Sequence, residues 1–331
     1  MFKKANWGIV LMVLCLFAAC TKPNNGNNNE GGGNNDTIII GGDNNDTIIN
    51  GGGNNDTIIN GGDTLVNTIP VGAINSLFTI NEDGDQVYFS QGNLQYQAST
   101  NTFQFAKTQL EYIGWLNSRI SPTYNGWIDL FGWSTSGWDC GHPYYHPWDY
   151  ELTGPYGPAG HDLTGEYANS DWGVYNPIDH GGDQPGLWRT LTQPEWETLL
   201  MTRQTQSGIR YVKAKIDATP GLLITPDNWD SDTYSFTNPN LYESYFTDNL
   251  ITEDDWLDIL EPAGVVFLPA AGVRSEKIVC ETTKVGNYWS ATHQHTYGFA
   301  LLFHDYYIYT NDYYNPYHGK SVRLVQDAKT E

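Results

Sequence analysis

The chain has 331 residues, room for one large domain or two modest ones, and 38 acidic against 16 basic residues give a formal net charge of -22. That balance argues against nucleic acid, whose phosphates call for clustered Lys and Arg, and against electrostatic docking on anionic lipid. Aromatic residues make up 14% of the chain, and eleven of its twelve Trp lie between Trp115 and Trp289, enough apolar surface for a sizeable core.

Met1–Lys4 carries two lysines, and Trp7–Ala19 is an apolar run too short to span a bilayer. The run closes on Phe17, Ala18, Ala19 and Cys20. Small residues before a cysteine resemble the bacterial lipobox. That resemblance implies a signal peptide over 1–19 and lipidation of Cys20, with an ordinary signal peptide as the alternative. Several acyl chains on one cysteine make a stable anchor. The expected location is the outer membrane, with the body facing outward.

A tether, residues 20–70, follows. It is built of Asn, Gly, Asp, Thr and Ile, and GGDNNDTIIN at 41–50 recurs as GGGNNDTIIN at 51–60. The unit is similar to the calcium-binding repeat of parallel β-rolls, but its period is ten and Asn replaces a required Gly. A flexible tether is the expectation, with no cofactor assigned and structural calcium left open.

The body is assigned to 71–327. Gln86–Tyr96 reads as a bent strand or hairpin, Thr102–Ala106 as a half-buried strand and Lys107–Leu116 as a short helix. Asn117–Gly186 is rich in Gly, Pro, Trp and Tyr, without periodicity, and is expected to be ordered irregular loop. Thr192 and Glu195 form a capping box ahead of a helix with Trp196, Leu199 and Leu200 on one face. Thr252 begins a second helix with acids in its first turn. Strands are expected at 208–216, 221–225, 264–269, 287–292, 297–303, 306–310 and 321–326. The fold class is α+β, with many short strands, two main helices and long ordered loops.

The last stretch differs in kind. From Tyr288 to Gly319, Tyr, Asn, His and Asp fill half of the 32 positions. Trp289, Phe299, Leu301, Phe303, Val322 and Leu324 are the expected framework. Between them, His293, His295, Tyr297, His304, Asp305, Tyr306, Tyr307, Tyr309, Asn311, Asp312, Tyr313, Tyr314, Asn315, Tyr317 and His318 are the expected ligand-binding surface. Tyr gives large contact area at low entropy cost.

Two segments carry a family resemblance. Trp188–Glu197 resembles the helix entry of the formylglycine-generating-enzyme (sulfatase-modifying factor) family. Gly286–Thr292 through Gly319–Val325 resembles the end of that superfamily, closest to Bacteroidetes-type lipoproteins and Fibrobacter major-paralogous-type domains. The resemblance covers roughly residues 72–326 and implies a C-type lectin-like fold. The same fold carries the variable proteins of diversity-generating retroelements. There, changing the first base of an AAY codon yields only Asn, Tyr, His or Asp, the set enriched here. A fixed binding surface on the same fold is the plainer alternative.

The enzymes of that family use a cysteine pair with copper. Cys280 lies in EKIVCETTK, which does not match the catalytic context, and no second cysteine is near it in sequence. Catalysis is therefore not carried over, and an envelope oxidase or a structural appendage subunit stand as alternatives. Asp139, Cys140, His142 and His146 supply ligand types for zinc or copper, a weak pattern from which no metal site is assigned. His304 beside Asp305 is an adjacency that a window so rich in both produces by chance. The calcium–sugar signature of many lectins of this fold is missing: Glu261 precedes Pro-Ala, and Gln184 precedes Pro-Gly. The expected partner is an extracellular protein or glycan ligand. The membrane is reached through Cys20, and no nucleic acid is involved.

Overall fold

The computed structural model describes residues 36–40, 47–51, 69–138 and 161–328. It is α+β, 16% helical and 33% strand, with the strands in small sheets. Cys20, most of the tether and the stretch holding Asp139, Cys140, His142 and His146 lie outside the described residues.

Two strands fall in the tether. β1 (Asp36–Ile40) and β2 (Thr47–Gly51) pair antiparallel, with Asp36 opposite Gly51. A β-roll stacks its strands parallel, so this pairing departs from that arrangement.

In the body, β3 (Phe78–Thr79), β4 (Gln86–Phe89), β5 (Leu94–Gln97) and β6 (Thr102–Phe105) come first. The expected bent strand over 86–96 is two strands in different sheets. The chain bends between them at Gly92, where a Cβ would collide with the Ala106 carbonyl. The short helix expected over 107–116 is displaced to a 3-10 turn, Gly114–Arg119. Then come β7 (Trp127–Ile128), α1 (Trp172–Tyr175), β8 (Ile178–Asp179) and β9 (Arg189–Thr190).

α2 (Gln193–Glu197) starts as its sequence dictates. The Thr192 side chain accepts from the Glu195 N–H, and the Glu195 carboxylate accepts from the Thr192 N–H at 2.7 Å. It continues as a wider π turn, Thr198–Thr202, which buries Leu199 and Leu200. β10 (Tyr211–Ile216), β11 (Thr219–Ile224) and β12 (Leu250–Ile251) precede α3 (Glu253–Asp255), which Thr252 caps and which widens over Trp256–Leu260. The remaining strands are β13 (Val266–Pro269), β14 (Val273–Ser275), β15 (Ile278–Cys280), β16 (Val285–Gln294), β17 (Tyr297–His304), β18 (Ile308–Tyr314) and β19 (Leu324–Asp327).

These build four-stranded sheets β12-β10-β11-β13, β3-β4-β19-β9 and β7-β5-β6-β8, the meander β16-β17-β18 and the hairpin β14-β15. β19 sits between β4 and β9, with Val325 opposite Phe89. The meander is buried on both faces at its root. Tyr288, Leu301, Phe303 and Ile308 join Phe89, Trp196 and Leu200 in one cluster, while Trp289, Ala300, Val322 and Leu324 join Trp133, Trp172 and Trp188 in another.

Some buried polar groups hold distant segments together. The Arg203 guanidinium lies 2.8 Å from Asp227, whose carboxylate also accepts from the Thr79 N–H. Arg323, wholly buried, donates to Gln109 at 2.8 Å and to Asn93 at 3.4 Å.

Candidate functional site

Five of the six expected framework residues, Trp289, Leu301, Phe303, Val322 and Leu324, are wholly buried. Phe299 is the exception. It is half-buried and meets the exposed Tyr313 edge-on at 6.4 Å, beyond the reach of the core. Next to it, Gly298 lies against the Trp133 indole, where a Cβ would collide.

One irregularity decides which tyrosines share a face. Ala300 pairs with Asp312, and Leu302 pairs with Tyr309. β18 therefore holds one residue more than β17 between those pairs, a β-bulge. Directly opposed residues share a face, and Phe299 and Leu302 lie on opposite faces of the regular β17. Tyr313, opposite Phe299, and Tyr309, opposite Leu302, accordingly point to opposite sides. The sequence-expected surface is thus not one sheet face.

The first of its parts is the β17–β18 turn. Tyr306 and Tyr307 are 4.9 Å apart centroid to centroid, Tyr307 and Tyr309 5.7 Å, and His304 and Tyr307 5.0 Å. Two rings from a distant loop complete the cluster. Tyr242 lies 5.6 Å from both Tyr307 and Tyr309, and Tyr245 lies 5.9 Å from Tyr306. Tyr242, Tyr245, Tyr306 and Tyr309 are exposed.

The loop is fastened from beneath. Buried Lys213, on β10, donates to the Tyr242 and Ser244 carbonyls at 3.1 Å each. The Asp305 carboxylate accepts from the Phe246 N–H at 2.9 Å, and the Asp248 carboxylate from the Tyr245 N–H at 3.0 Å. Desolvation raises the Tyr242 phenol well above its usual range, helped by its hydrogen bond with Tyr309. Burial, then Lys213, lowers His304. His304 Nδ1 accepts from the Tyr306 N–H at 3.3 Å while Asp305 serves Phe246, so these neighbours do not form an acid–base pair with each other.

The second part lies at the other end of the meander. His293 Nδ1 is 2.7 Å from Asp162, which also accepts from the His293 N–H. His161 stacks on Tyr167 at 4.0 Å. Tyr297 and Tyr313 are 5.5 Å apart. His295 is exposed in the β16–β17 turn at φ 58°, a left-handed conformation that His tolerates better than most residues. Asn311 is exposed on β18.

The third part is less displayed than expected. Asp312, Tyr314, Asn315, Tyr317 and His318 are all half-buried. The chain must turn here from β18 back to Gly319 and Lys320, which bridge to Arg274 and Phe131. The Tyr314 hydroxyl donates to Asp312 at 2.6 Å, and wholly buried Lys320 places its Nζ 3.0 Å from the Tyr314 ring centroid. Burial raises the Tyr314 phenol far above its usual range, with Asp312 adding to the rise. Burial, then Lys320 and Arg274, lowers His318 to about 4. Asn315 Nδ2 donates to the Tyr317 hydroxyl at 3.2 Å.

Tyr242, Tyr245, Lys213 and Asp162 were not among the sequence-expected residues. Tyr242 and Tyr245 flank Glu243 in a stretch with neither helix nor strand period, where exposed aromatics are the available signal. Among the described residues, no group of His, Cys, Asp or Glu could hold a metal ion, and no helix is long and apolar enough to cross a membrane. Cys280 is half-buried on β15.

No family model matches the chain, and no curated protein or solved structure matches it either.

Proposed function

We propose that this chain is a binding protein of the outer envelope, anchored through Cys20. Its body is a C-type lectin-like domain that takes an extracellular protein or glycan ligand on the β17–β18 turn. The observation that carries this reading is the cluster of Tyr242, Tyr245, Tyr306, Tyr307 and Tyr309, mostly exposed and held from beneath by Lys213 and Asp305. Exposed aromatic patches on a fastened scaffold mark interaction sites, because little is lost in ordering them. The mechanism is binding, not turnover.

Diversification by a retroelement is part of the proposal. Exposed His295, Asp305, Tyr306, Tyr309, Asn311 and Tyr313 belong to the four-residue set, whereas buried Ala300, Leu301, Phe303 and Ile308 do not. Tyr288, wholly buried with its hydroxyl donating to the Pro269 carbonyl, is a member of the set with a structural role.

The test is a paired array experiment. Full-length protein and its Tyr306→Ser/Tyr309→Ser variant are applied to glycan and protein arrays. A ligand bound by the parent and lost by the folded variant supports the reading. Retention of every ligand by the variant overturns it.

A further inference from the structure

The chemistry around the tyrosine cluster says more about its occupant. Glu243 and Asp305 are exposed beside the rings, and Asp248 is half-buried behind them. Glu243 is the leading influence that raises the Tyr306 phenol above its ordinary range. Glu281 adds a further negative charge near His304. Lys213 is a cation near this group, and it is buried, with its Nζ turned to the Tyr242 and Ser244 carbonyls. The outward surface therefore combines the electron-rich faces of neutral phenols with carboxylates. Both attract a cation, and a guanidinium also stacks on aromatic rings.

A second feature bears on the form of the occupant. β18 is the outer strand of its meander, and among the described residues no strand pairs with its other edge. Tyr309, Asn311 and Tyr313 are exposed along it. A strand edge that no described strand pairs, beside a recognition patch, gives an extended polypeptide main-chain partners, while its side chains reach the rings.

We propose that the ligand of this surface is an extended polypeptide segment of another protein, bearing Arg or Lys side chains that lie over Tyr306 and Tyr309 and pair with Glu243. This rests on the reading of the tyrosine cluster as the contact surface. The acidic chain as a whole, at net charge -22, steers such a segment inward and repels acidic competitors.

The experiment uses the full-length chain in detergent and three labelled probes: a short poly-arginine peptide, a Gly/Ser peptide of equal length and a neutral oligosaccharide. The arginine peptide is expected to bind, with affinity falling as salt is raised. Tyr306→Ser/Tyr309→Ser leaves the net charge unchanged and is expected to weaken binding about 30-fold, as loss of a contact hot spot does. Glu243→Gln is expected to weaken it about two- to fivefold. Arginine-peptide binding that survives the tyrosine substitutions is general attraction to an acidic protein, and it overturns the proposal. So does failure of the arginine peptide to bind. Oligosaccharide binding that the tyrosine substitutions abolish, without peptide binding, overturns this inference and leaves the surface assignment standing. Melting curves of each variant establish that the fold is intact.

Discussion

Lys213 offers the sharpest test of how the tyrosine surface is held. Its side chain is 1% exposed, and its two hydrogen bonds fasten the loop that carries Tyr242 and Tyr245. Lys213→Met keeps the bulk of the stem and removes both bonds. A hydrogen bond from a charged donor contributes roughly 1.5–3 kcal/mol, so the loss is about 3–6 kcal/mol. Against this, burial lowers Lys213 from 10.5 to about 8, and removing that buried charge returns about 3 kcal/mol. The net effect at neutral pH is a destabilisation of about 0–3 kcal/mol.

The dependence on pH separates the two contributions. Below about 8 the lysine is charged in both states, and the folded protein carries the whole burial penalty. As pH rises from about 8 to 10.5, the folded state releases its proton first while the unfolded chain still holds one. Stability therefore rises through that window, and the rise is complete above it. The Met variant lacks this rise. Urea unfolding of both proteins across the window should show the parent's advantage widening, and hydrogen exchange over 241–246 should quicken in the variant. Parallel stability curves, with unchanged exchange, would refute the account.

Three further outcomes are expected. Cys20→Ser abolishes acyl labelling and moves the protein from the membrane to the soluble fraction. His318→Gln flattens the acid limb of the stability curve: His318 falls from 6.5 to about 4 in the fold, so the parent loses stability as pH drops through that interval and the variant does not, as urea melts will show. Tyr314→Phe removes the hydroxyl donated to Asp312 and costs about 1–3 kcal/mol by denaturant unfolding, while leaving ligand binding at the β17–β18 turn unchanged.

The helix starts were legible because capping is local. Thr192 with Glu195 and Thr252 with Asp255 needed no tertiary information. The strand centres were legible for the same reason, since β10, β11, β13, β16 and β17 carry apolar and β-branched runs of strand length. Sheet membership was not, because Gln86–Phe89 and Leu94–Gln97 look continuous until their partners are known. The surface was half legible. Composition pointed to the turn at 304–309, but nothing local places Tyr242 and Tyr245 beside it. Nor does a pattern of tyrosines reveal the extra residue in β18 that turns Tyr309 and Tyr313 to opposite sides. Period-two counting alone would join them. Asp312, Tyr314, Asn315, Tyr317 and His318 are half-buried, and composition cannot tell a displayed tyrosine from one lying against a buried lysine.

The place of β19 has a consequence for how the protein is made. Val325 pairs with Phe89, 236 positions earlier (325 minus 89), and Leu324 pairs with Thr190. A sheet that needs both ends of the body cannot close until the last residues have left the ribosome. Until then β4 and β9 lack the strand that joins them, and the loop to be closed is long. A chain cut short by a premature stop within the Tyr-rich segment would lack that strand and leave β4 and β9 unjoined. Its sheet would stay incomplete, so losing the last residues costs the fold and not merely part of the tyrosine surface.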